Sequence, residues 1–178
     1  MGHSMKEMAD WLGGPGGSLW AIRLAMACLA VGYALQCLTG VRNTRVIAGL
    51  WVFGAALASF HTATAISAFH SGSFGEALES TARRTEAMFG VRVSWGLFVN
   101  YVFVAAWWLD AIWRWQFRPA PLRAVEIGID FFLISIAFFG SVVFATGPIR
   151  YVGLVVMAIW VALWFRRYST KCNASEHG

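Results

Sequence analysis

The sequence predicts an all-α fold, a polytopic integral membrane helix bundle of about five transmembrane helices with one short interfacial amphipathic helix. Three observations carry this reading. Of 178 residues, 58% are hydrophobic and only 13% are charged, whereas soluble domains carry about 25% charged residues. The mean hydropathy is +0.60. The apolar residues gather into runs close to the roughly 20 residues that a bilayer-crossing helix requires. An ordinary soluble domain is excluded, and the length allows one domain. The formal charge of +5 does not point to nucleic acid, because the cations stand at the ends of apolar runs, where membrane orientation accounts for them. The lipid bilayer is the expected partner.

Residues 1–17 read as a flexible N-terminal segment. Lys6, Glu7 and Asp10 are followed by the Gly13, Gly14, Pro15, Gly16, Gly17 run, which is unlike a cleaved signal peptide. A single transmembrane domain then covers 18–168, with spans predicted at 18–39, 46–69, 93–117, 124–146 and 149–165. The fifth is barely long enough. Residues 169–178 form a short polar tail. Most connections are short, and the fourth and fifth spans meet at a Gly147-Pro148 turn. Only the second connection has room for structure of its own. There Ser73 and Glu76 form a capping box, and Phe74, Ala77, Leu78, Thr81, Ala82, Thr85, Met88 and Phe89 recur at helical spacing opposite Glu76, Glu79, Arg83 and Glu86. The spacing predicts a helix over 73–89, lying in the interface and ended by Gly90. Three cysteines are too few for a disulfide framework, and Cys28 and Cys37 read as core thiols.

Arg42, Arg45, Arg114, Arg118, Arg123, Arg166, Arg167 and Lys171 fall on one side of the predicted bundle. Lys6, Arg23, Arg83, Arg84, Arg92 and Arg150 fall on the other, among most of the acids. The first side is therefore expected to be cytoplasmic, with the N-terminus outside, in a cell (inner) membrane.

Ionisable groups inside spans are costly and are the first place to look for function. In the third span Gly96, Asn100, Trp107, Asp110 and Arg114 share one face, and in the fourth Glu126, Asp130, Ala137 and Ser141 do the same. Asp110 and Asp130 come to the same depth across a short loop. They read as structural, with Asp110 bonded to Arg114 one turn on, or else as a proton- or cation-accepting pair. In the second span Gly54, Ala55, Ala58, Ser59, Ala63 and Ser67 make small-residue stripes that suit close helix packing. His61 lies on that small face, at about the depth of Asn100, and a His61 to Asn100 contact is expected. The candidate intramembrane site is thus His61, Asn100, Asp110 and Asp130, with Glu126, Arg114, His70 and Arg83 as secondary candidates. His61 and His70 point to opposite faces, which argues against a bis-histidine haem site. No metal or other cofactor is expected, and a nucleophile elbow, zinc-binding HExxH and glycine-rich phosphate loop are all missing from the sequence.

Thr81-Ala82-Arg83-Arg84-Thr85, Gly96-Leu97-Phe98-Val99-Asn100-Tyr101, Trp107-Trp108-Leu109-Asp110 and Val143-Phe144-Ala145-Thr146-Gly147-Pro148 together resemble an uncharacterised family of small bacterial multi-span membrane proteins. The resemblance covers 61–150. It implies a polytopic membrane module and, because that family has no assigned activity, implies no mechanism.

The functional expectation is a membrane-embedded binding or interaction module, as a homo-oligomer or an accessory subunit of a membrane complex, without catalysis of its own. Two alternatives stand beside it. One is a proton-linked transporter or relay through His61, Asp110 and Asp130; the other is an intramembrane enzyme acting on a lipid or quinone through His61 and Asn100.

Overall fold

The computed structural model describes residues 14–41, 44–116, 123–143 and 147–175. All regular structure among them is helical, in the order α1 (Pro15–Thr39), α2 (Arg45–Phe69), α3 (Phe74–Phe89), α4 (Gly96–Trp115), α5 (Arg123–Phe138) and α6 (Pro148–Ser175). A π-helical turn, Phe139–Val143, extends α5.

Four of these helices are long and apolar enough to cross a membrane: α1, α2, α4, and α5 with its π turn. In α6 the apolar stretch among the described side chains is Arg150–Leu163. The helix itself continues to Ser175, through most of the stretch expected to be a polar tail. At the other end, α1 begins inside the glycine-rich run, with Pro15 in its first turn and Gly14 at the N-cap. Proline suits that position because its missing N–H is unpaired there in any helix. Residues 1–13, which hold most of the expected flexible segment, lie outside the described residues, as do 117–122 and 144–146.

Local signals cap α2 and α3. Thr44 caps α2 by accepting from the Ile47 N–H, and Ser73 caps α3 by accepting from the Glu76 N–H. Gly90 closes α3 at φ 71°, a left-handed conformation that a side chain would strain.

The core lies between α1, α2 and α4. Leu29 of α1, Trp51 and Ala55 of α2 and Trp107 and Ala111 of α4 are fully enclosed, joined by Leu133 of α5. Gly54, Ala55 and Ala58 of the small-residue stripe are buried, whereas Ala63 and Ser67 are exposed. Gly54 works by proximity: a Cβ there would stand 2.5 Å from Cζ2 of Trp107 and 3.1 Å from Cβ of Cys28. Phe53 and Phe60 face outward, as the lipid side of α2 requires. Cys28 and Cys37 are half-buried rather than fully in the core.

Candidate functional site

Six side chains from four helices meet near the end of the bundle where α1 finishes and α2 starts. Asp110 and Arg114 sit one turn apart on α4, with Arg114 Nε donating to Asp110 Oδ2 at 2.8 Å. Both are enclosed, with side chains 0% and 1% exposed. The same Asp110 oxygen accepts from the Trp51 indole N–H at 2.7 Å, and the Arg114 guanidinium lies 3.9 Å over the Trp51 ring. One indole therefore serves both charges, by hydrogen bond to the anion and by its π face to the cation. Arg114 also donates to Gln36 Oε1 at 3.0 Å and, at a longer 3.4 Å, to Asp130 Oδ1. Tyr33 donates its hydroxyl to the same Asp130 oxygen at 2.8 Å.

The knot reaches α6 as well. Trp160 donates to the Ala30 carbonyl at 3.2 Å, and its ring meets Tyr33 edge-on at 5.4 Å. Tyr33 in turn meets Trp51 edge-on at 5.0 Å. Every long helix thus contributes to one cluster of ion pairs and rings. Such a cluster suits a low-dielectric setting because a buried charge without partners is far costlier than one whose donors and acceptors are matched.

The predicted carboxylates do meet at one depth, but through Arg114, which bridges them. Asp130 is the more open of the two, with its side chain 21% exposed. Trp51, Tyr33 and Gln36 were not among the sequence candidates. Gln36 could have been found as an amide within an apolar run, one turn from Tyr33 on the same face. For Trp51 the sequence holds no comparable signal, since its role depends on where α4 lies.

His61 stands apart from this cluster. Its Nδ1 lies 2.9 Å from both the hydroxyl and the carbonyl oxygen of Ser18, a fully buried residue in the first turn of α1. The expected contact with Asn100 is absent: Asn100 is exposed on α4. The reason lies in packing, because α2 lays its small face chiefly along α1, bringing His61 to Ser18. His61 and Trp51 are ten residues apart on α2, about 15 Å along the axis. Ala55 and Ala58 fill the interval on α2, together with Trp107 from α4. Trp107 Nε1 is a buried donor with no partner among the described residues. Slightly to one side, Trp108 donates to Ser59 at 2.9 Å.

Two clefts among the described residues bear on the candidate positions. The first, about 370 Å³, is lined by Trp95, Phe98, Val99 and Val102 on the α4 side and Phe132 of α5. The second, about 530 Å³, lies between the end of α2 and α3 and is lined by Phe69, His70, Gly75, Glu76, Glu79, Ser80 and Arg83. His70 and Arg83 therefore share a polar surface far from the ionic knot. Close by, Arg92 pairs with Glu79 at 2.6 Å and Glu86 at 3.7 Å, all three half-exposed. Among the described residues no three His, Cys, Asp or Glu side chains stand close enough to hold a metal ion. Glu126 sits half-buried near the start of α5.

No family model matches this chain, and neither the curated proteins nor the solved structures contain a match.

Proposed function

We propose that the chain works as a membrane-embedded interaction module, a homo-oligomer or an accessory subunit, whose buried ionic knot holds the helices in one arrangement. The observation that carries this reading is that Asp110 and Arg114, the costliest groups in the spans, are fully enclosed and hydrogen-bonded to each other and to Trp51 and Gln36. Charges that serve as carriers in a transporter generally face a water-filled cavity. The tightly packed apolar stretch between His61 and Asp110 also disfavours a proton path from one to the other.

The proposed setting is an inner membrane, with the N-terminus outside and the C-terminus cytoplasmic, α6 completing the crossing. Arg114 drops out of the orienting charge count because it is ion-paired inside the bundle. Arg42, Arg45, Arg118, Arg123, Arg166, Arg167 and Lys171 still outweigh the cations of the opposite end. A reporter fused after Lys171 is expected to read as cytoplasmic; an external reading reverses the assignment.

The function itself is tested by reconstitution. Protein in liposomes under an imposed pH gradient is expected to pass no more protons than protein-free liposomes, and its native mass in nanodiscs is expected to be a multiple of 19.6 kDa or that of a complex. A monomer with pH-driven flux that disappears in Asp130→Asn overturns the proposal in favour of the relay.

A further inference from the structure

The apolar cleft between α4 and α5 lies in a part of the molecule that the ionic knot does not reach. The buried residues of α4 begin at Phe103. Before it, no residue of α4 is buried, and Phe98 and Val102 are each more than half exposed. The two helices are thus held together at the end where Asp110, Arg114 and Asp130 meet and leave a gap beside the opposite half of α4. The gap has a volume of about 370 Å³, within the size range of ligand sites, about 300–1,000 Å³. Its walls are Trp95, Phe98, Val99, Val102 and Phe132, with no charged or hydrogen-bonding group except the indole N–H of Trp95. Water gains nothing from such walls. In a bilayer the filler at hand is hydrocarbon.

The mouth of the cleft carries the second half of the argument. Trp95, 74% exposed, stands at the head of α4, where an amphipathic indole suits the membrane interface. The α3 helix crosses at this level. Phe74 meets Phe98 edge-on with centroids 6.3 Å apart, and a Cβ at Gly96 would stand 3.0 Å from Cγ2 of Thr81. Arg84 follows Thr81 by one turn of α3 and is exposed. Arg92 is occupied by Glu79 and Glu86, whereas Arg84 has no ion-pair partner among the described residues. A guanidinium close to the interface recognises phosphate by paired hydrogen bonds and charge.

We infer that the α4–α5 cleft is a binding site for an anionic glycerophospholipid, one acyl chain lying against Phe98, Val99, Val102 and Phe132 and the phosphate meeting Arg84. The site is independent of whether the module's partner is a second copy or another subunit.

The test is electron spin resonance of purified full-length protein in phosphatidylcholine vesicles carrying chain-labelled phosphatidylglycerol or phosphatidylcholine. Wild-type protein is expected to retain phosphatidylglycerol about fivefold more strongly than phosphatidylcholine, the preference one interfacial arginine supplies. Arg84→Gln is expected to abolish that preference while leaving the number of immobilised lipids unchanged. Val102→Trp, at an exposed position where added bulk need not disturb the fold, is expected to remove about one immobilised lipid per chain, with helix content unchanged by circular dichroism. Equal retention of the two lipids by wild type, a preference that survives Arg84→Gln, or an unchanged lipid count in Val102→Trp each overturn the site as described. A disulfide-linked dimer formed by Val102→Cys in the membrane also overturns it, by placing a second copy in the cleft.

Discussion

Arg114→Gln is expected to be the most damaging single substitution in this protein, costing about 3–5 kcal/mol, the usual result of removing one partner from a buried ion pair. The glutamine leaves Asp110 enclosed without the cation paired to it, while the Trp51 indole still donates to the carboxylate. It also removes the donor that reaches Gln36 on α1 and Asp130 on α5, so contacts between three helices loosen together. Unfolding in mixed micelles, followed by tryptophan fluorescence, measures the loss. Asp110→Asn is expected to come close to it, and the Asp110→Asn, Arg114→Gln double variant to be clearly less unstable than the sum of the two, because neither charge is then left alone. Asp130→Asn is expected to cost less, since that carboxylate is partly open and its arginine contact is the long one at 3.4 Å. Additive losses in the double variant would mean that the two residues do not act as a pair.

Gly32→Ala is expected to destabilise the bundle by about 3 kcal/mol, at the upper end for added bulk in a packed core. The methyl group would fall on the benzene ring of Trp51, inside any real contact distance. Trp51 has no easy retreat: its N–H is held by Asp110, its face by Arg114 and its edge by Tyr33. The strain therefore passes into the ionic knot. Gly49→Ala, a change on α2 where a Cβ meets nothing within 4 Å, is the matched control and is expected to be neutral in the same micelle titration. Equal behaviour of the two variants would show that Trp51 can yield.

The sequence alone was enough for the features that depend on neighbours along the chain. The composition and apolar runs specify a helical membrane bundle, because backbone groups in hydrocarbon must be paired within their own segment. The boundaries of α3 follow from Ser73 and Gly90, whose capping chemistry is local. The i,i+4 pairing of Asp110 with Arg114 follows from helix geometry. What only the tertiary structure decided depends on helix rotation and on which helices touch. Trp51 could not be recognised as the partner of Asp110 until α2 and α4 were laid side by side, and His61 turned to Ser18 instead of Asn100 because its face of α2 packs on α1. Arg114, read first as an orienting charge, proved to be the bridge between two carboxylates. Periodicity tells which residues share a face of one helix; it carries no term for the face that a neighbour presents, and in this bundle that neighbour determines what each buried polar group can bond.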